Sequence, residues 1–172
     1  AVPRGGRVSI EITGLGDVQR KLDLIAAGVR RAARREVRRG ALAIQGSARR
    51  NLHTAGTTDT GRLANSIATE EEAGGLDARV GTNLEYAEAI EFGLPPGTRP
   101  DVASLRGWVR RKLGIKDPVE ARRVAFLIAR KIERHGTDAQ PYLHPAAEAE
   151  RALFRERFNR AVAEAIREAA RG

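Results

Sequence analysis

The sequence predicts an α+β fold: a long N-terminal amphipathic helix and C-terminal helices packed on a small antiparallel sheet with a hairpin. Three observations carry that expectation. Apolar residues recur at helical spacing from Val18 to Ala48, two short extended patterns flank Gly74-Gly75, and three further helical patterns fill the second half of the chain. At 172 residues the chain has the length of one domain and can bury a core of its own, so residues 1–172 are read as a single unit.

The first element is a strand. In "RVSIEITGLGD", Val8, Ile10 and Ile12 alternate with polar neighbours, the period of a half-buried strand, which breaks at Gly14 and Gly16. Asp17 is then the expected N-cap of a helix with Val18, Leu22, Ile25, Val29, Ala33, Val37, Ile44 and Ala48 on one stripe, ending near Leu52. Gly28, Gly40 and Gly46 weaken it, since each glycine costs a helix about 1 kcal/mol relative to alanine. Away from the stripe, Arg30, Arg31, Arg34, Arg35, Arg38 and Arg39 form a cationic ridge.

After the loop "HTAGTTDTG", Leu63 and Ile67 stand four apart and mark one helical turn; "SIATEEEAGGLDARVGT" then reads as a hairpin about Gly74-Gly75. "LEYAEAIEFG" is a short helix stopped by Gly93, and "LPPGTRP" is irregular because its prolines suit neither helix interior nor central strand. Leu105, Trp108, Val109 and Leu113 share a helical face closed by Gly114, which assigns Trp108 to the core. Asp117-Pro118-Val119-Glu120 has the order of an N-cap, a proline at the first helical position and an acid behind it. That helix turns Val124, Ile128 and Ile132 inward and closes at His135-Gly136. Pro145 opens a last helix with Phe154, Phe158, Val162, Ile166 and Ala169 as its stripe.

Charge is distributed in blocks. The net +9 arises from 27 Arg and 4 Lys against 22 acids. Residues 20–50 carry ten basic and two acidic groups, a net +8; residues 54–98 carry two and eight, a net −6; residues 99–135 carry eleven and four, a net +7. No run approaches the roughly 20 apolar residues of a membrane span, and no charged region followed by an apolar stretch marks an export signal, so a soluble protein without a membrane partner is expected. With no Cys, disulfides, thiolate nucleophiles and Cys-based metal sites are excluded.

Catalytic signatures fail on context. Asp59-Thr60-Gly61 has the letters of an aspartic protease turn, but such a turn leaves an apolar strand that buries the carboxylate, whereas polar "TAGTT" precedes Asp59 and Arg62 follows it. It reads as a structural turn. His53, His135 and His144 have no metal-ligand spacing, Ser47 and Ser66 lack a nucleophile elbow, and "GLG" is not followed by a dinucleotide fingerprint. No enzyme, no cofactor and no metal site is expected. The Arg ridge comes without a base-reading motif or aromatic platform, which leaves non-specific proximity to DNA as the nucleic-acid reading.

Three motifs, in this order, carry a resemblance. "DTGRLANSI" is similar to a T-G-x-L-x-x-S-I turn, "YAEAIEFG" to Y-A-x-x-x-E-x-G, and "GTDAQPYLHPA" to G-T-x-x-x-P-[FY]-L-x-P-A. Together with the basic N-terminal helix and the hairpin they resemble a family of tailed-phage neck, head-tail connector or tail-completion proteins. Against that pattern the chain departs where "EFG" runs into "LPPG", followed by a helical insertion near 101–135.

The resemblance implies a structural virion protein of a long-tailed phage, assembling in the host cytoplasm and ending at the neck or tail end. It would sit in or on a homo-oligomeric ring, next to portal, adaptor, stopper or tail-terminator and tail-tube proteins. Its motif or interface residues would be Thr60, Gly61, Leu63, Ser66, Ile67, Tyr86, Ala87, Glu91, Gly93, Pro141, Tyr142, Leu143 and Pro145. Glu70, Glu71 and Glu72 are candidates to face the Arg ridge of the next subunit. The alternatives are a basic, non-specific DNA-binding protein and a tail-terminator subunit.

Overall fold

The computed structural model describes residues 15–55 and 59–171. The strand expected at residues 8–12 lies outside them. In chain order the elements are α1 (Leu15–Thr54), α2 (Arg62–Ser66), β1 (Ala68–Glu71), β2 (Ala78–Gly81), α3 (Ala87–Phe92), α4 (Val102–Lys112), α5 (Pro118–His135) and α6 (Leu143–Arg171). The fold is mostly helical with one hairpin, an α+β arrangement.

α1 and α6 form the long axis, packed on each other along most of their length. They run antiparallel, since Asn51 near the end of α1 donates through Nδ2 to the carbonyl of Tyr142 at the start of α6, while Gly28 faces Ala165. Small residues let the backbones approach: Ala32, Ala33, Gly40, Ala41 and Ala48 are buried on α1, Ala146 and Ala165 on α6. Gly40 is where the approach is tightest. A Cβ there would stand 2.9 Å from Cδ2 of Phe154, so this glycine admits an aromatic ring as well as weakening the helix. The Phe154 and Phe158 rings lie 5.5 Å apart beside it.

Several details correct the expected stripes. α1 begins at Leu15, so Asp17 lies inside its first turn, where it pairs with Arg20 and suits the positive end of the dipole, and is not the N-cap. Val18 and Leu22 are exposed, because α6 ends at Arg171 shortly beyond Ala165 and the first turns of α1 have no helix opposite among the described residues. On α6, Ile166 is exposed and its neighbour Ala165 is buried. α6 starts at Leu143, two residues before Pro145.

β1 and β2 pair antiparallel, Ala68 with Gly81 through Glu71 with Ala78, and the hairpin lies against α1. α4 and α5 pack on each other around Val109, Ala121 and Ala125, a second small core with Val124 and Ile128 at its edge. At α5 the ends match the expected caps: Asp117 accepts from the N–H of Val119 and Gly136 closes the helix. α4 has a cap that the spacing did not point to, Asp101, which accepts from the N–H groups of Ala103 and Ser104.

Candidate functional site

The three motifs meet in one place. Leu63, Ala64 and Ile67 of the first, Ala87 of the second, and Tyr142 and Ala146 of the third form a single core with Ala48 and Leu52 of α1; Leu143 packs on its edge. Ile67 is 1% exposed and Tyr142 3%. Burial pushes the Tyr142 phenol above its ordinary value, and the negative charge of Glu91 adds to the effect. Gly61 takes φ +73 ahead of α2, a left-handed conformation that glycine adopts without strain. Ser66 bonds to the carbonyl of Leu63 and to the Thr82 hydroxyl, tying the first motif to the strand end.

Glu91 is the polar centre of the convergence. Only 7% exposed, it accepts through Oε2 from the N–H groups of Tyr142 (2.8 Å) and Leu143 (2.9 Å), and through Oε1 from His144 (2.8 Å). Those are orphan donors at the start of α6, which one carboxylate satisfies together while meeting the positive end of the dipole. Immediately beyond, Leu94 and Thr137 exchange backbone hydrogen bonds as an isolated antiparallel bridge. Gly93 (φ +74) and Gly136 (φ +71) flank that crossing, and a Cβ on either would lie 2.4 Å from the Thr137 carbonyl or 2.1 Å from the Leu94 carbonyl.

Residues that the sequence did not single out hold this junction from the α1 side. Gln45 and Arg49 both donate to the Ile67 carbonyl at 2.7 Å, and Gln45 also receives the Thr69 hydroxyl. Farther along α1, Arg157 of α6 bridges Glu36 and the buried Glu150. Only the general amphipathicity of α1 hints at these contacts; long-range side-chain bonds leave no local spacing.

Thr60, Tyr86, Pro141 and Pro145 are the motif residues that face outward. Tyr86 borders a groove of about 620 Å³ together with Leu52, Leu63, Ile90, Leu105 and Trp108, so the motif body and α4 share it. Trp108, expected in the core, is 37% exposed there, because the small core of α4 and α5 closes around Val109 instead. Asp59 closes the rim: both its oxygens accept from Arg111 of α4, at 2.6 Å for the shortest bond. That hydrogen bonding holds the Asp59 carboxyl below the usual carboxylate value and raises Arg111. The Asp-Thr-Gly letters thus form a turn clasped to a helix.

Charged candidates are partly spent inside the chain. Glu71 meets Arg38 at 3.3 Å, Glu72 meets Arg79 at 2.7 Å, and Gly75 rests on the Arg34 side chain, so the hairpin tip covers part of the ridge. Arg31 and Arg35 share a groove with Glu164 and Glu168 of α6, and Arg39 lies 4.0 Å from Glu36. Arg30 and Glu70 are exposed. Among the described residues no three His, Asp or Glu converge as metal ligands, and no helix is long and apolar enough to cross a membrane.

The span from α1 through the hairpin to Gly93 has a counterpart among family models. Residues 16–93 match the HK97-gp10-like family. Its description reads "Bacteriophage HK97-gp10, putative tail-component". No curated protein and no solved structure matches the chain. The HK97-gp10-like segment holds the first two motifs and ends at the glycine of the chain crossing; the third motif, α4, α5 and α6 follow it.

Proposed function

We propose that this chain is a structural protein of the phage virion, a neck or tail-completion subunit of the head-tail junction that works in or on a ring and carries out no catalysis. The observation that carries the reading is the convergence of all three motifs on one core, with the second and third locked together by Glu91 and the Gly93–Gly136 crossing. Their carboxylates and Ser66 are engaged in locking one shape: Glu91 by backbone donors of α6, Asp59 by Arg111, and Ser66 by the Leu63 carbonyl and the Thr82 hydroxyl. Agreement with the HK97-gp10-like tail-component description supports the same reading. Partners of the right kind are other virion structural proteins: a second copy, and portal, adaptor, stopper or tail-terminator and tail-tube subunits.

Non-specific DNA binding has less support. Phosphates are held by Lys and Arg free to neutralise them, whereas the α1 ridge is interleaved with Glu71 from the hairpin and Glu164 and Glu168 from α6. The test is assembly. Phage lacking this protein should accumulate filled heads and tails that do not join, and purified protein imaged by negative stain should add density to isolated connectors or tails. Normal joined particles in its absence would defeat the proposal.

A further inference from the structure

The helical insertion carries a groove that the motif body does not explain. Between α4 and α5, a cleft of about 690 Å³ is lined by Val102, Arg106, Val119, Arg122, Arg123 and Phe126. Val119 is 76% exposed and Phe126 47%. Arg122 and Arg123 form no salt bridge among the described residues, and Arg106 has only the longer-range influence of Asp101. The cleft is thus lined by exposed apolar side chains and by arginines.

A complementary surface stands on the same chain. Glu85, Glu88 and Phe92 are spaced three and four apart along the turn into α3, and all are exposed, Phe92 by 71%. Neither glutamate has a salt bridge among the described residues. None of the three lines the cleft, so within one chain the two surfaces do not meet.

We infer that they meet between copies: the α3 face of one subunit seats Phe92 between Val119 and Phe126 of the next, with Glu85 and Glu88 against Arg106, Arg122 and Arg123. Two different surfaces make the contact heterologous, the kind that propagates head to tail and closes into a ring when the rotation permits. Opposite charge fixes which face goes forward. The aromatic residue favours a protein occupant over DNA, since phosphates would engage the arginines and leave Val119 and Phe126 in water. The acidic middle of the chain still faces a basic block, but that block is the insertion; of the hairpin glutamates, Glu71 is paired with Arg38 of its own α1 and Glu72 with Arg79 of the hairpin. This assignment rests on the ring reading above.

The experiment uses the purified full chain, with self-association followed by sedimentation velocity across a concentration and salt series. Glu88→Arg, Phe92→Ser and the double variant Arg122→Glu/Arg123→Glu should each weaken association by roughly tenfold or more, with circular dichroism showing each variant folded. Mixing Glu88→Arg with Arg122→Glu/Arg123→Glu should restore association. Oligomers indifferent to all three variants, or no restoration on mixing, would remove this pairing while leaving the ring. A monomer at every concentration would remove both. Duplex DNA bound through Arg122 and Arg123, with no effect of Glu88 or Phe92 and no self-association, would make the cleft a phosphate surface instead.

Discussion

Glu91 and Tyr142, 51 residues apart in sequence, are joined by a 2.8 Å hydrogen bond from the Tyr142 backbone N–H to a nearly buried carboxylate. Through it the short helix α3 caps the long helix α6, so the pairing of α6 with α1 depends on a residue in neither. Glu91→Ala should leave three donors of Tyr142, Leu143 and His144 without a partner and cost roughly 3 kcal/mol, at the upper end for a buried charged acceptor. Glu91→Gln keeps an acceptor oxygen and loses the charge, and should cost about half as much. Urea denaturation checks both; equal stability of Glu91→Ala and the parent would show that water replaces the cap.

The chain crossing beside it depends on glycine twice. Gly93→Ala and Gly136→Ala each force a Cβ into a carbonyl oxygen at 2.4 Å or closer while holding a positive φ. Neither backbone can retreat without breaking the Leu94–Thr137 bridge, so each should cost more than about 2 kcal/mol. Gly97→Ala is the control. It has φ +93 and open space around it, and should cost only the roughly 1 kcal/mol of the left-handed conformation. Equal losses at the three positions would mean that conformation alone, and not the crossing, sets the requirement.

Local signals in the sequence located α1, the hairpin, α3, α4 and α5, with the Asp117 cap and the glycine stops, because periodicity, capping side chains and glycine stops act within a turn or two; Asp17 was misplaced as a cap and Asp101 went unread. Motif residues were legible as a set, but their work was not. Glu91, Gly93 and Gly136 act across 42 or more residues of chain, and spacing carries no information about such partners. Gly40 shows the same limit: it reads as a helix defect until Phe154 is seen against it. Trp108 was misassigned because a shared helical face does not say which part of that face a partner covers.

Two glycines of α1 should respond oppositely to alanine. At Gly28 a Cβ would rest 3.8 Å from the nearest atom of α6, an ordinary contact, so Gly28→Ala should stabilise by up to about 1 kcal/mol through helix propensity alone. At Gly40 the ring of Phe154 must move, next to Phe158 and the Glu150–Arg157 pair, so Gly40→Ala should destabilise despite the same propensity gain. Combining Gly40→Ala with Phe154→Leu should recover part of the loss. Thermal melts of the four proteins decide it, and a stabilising Gly40→Ala would show that the ring moves freely.

The clasp of Asp59 on Arg111 gives α4 an acid sensitivity. Hydrogen bonding from Arg111 lowers the Asp59 carboxyl from its ordinary 3.8, so its stabilising contribution is complete above that value and is lost as pH falls through the lower, folded one. Asp101 shifts the same way, held down by the N–H groups of Ala103 and Ser104 that it caps, and weakens the start of α4 in the same window. Trp108 reports on both, being the single tryptophan and lining the groove between Arg111 and the Asp59 turn. Its emission should change on titration below about pH 3.8 before helical circular dichroism falls. Asp59→Asn should remove part of that early step, and Asp59→Asn with Asp101→Asn most of it, while peptide substrates stay uncleaved by the parent and both variants. An emission change that keeps its midpoint and amplitude in the double variant would place the acid response elsewhere, and peptide cleavage that disappears with Asp59→Asn would return the turn to catalysis.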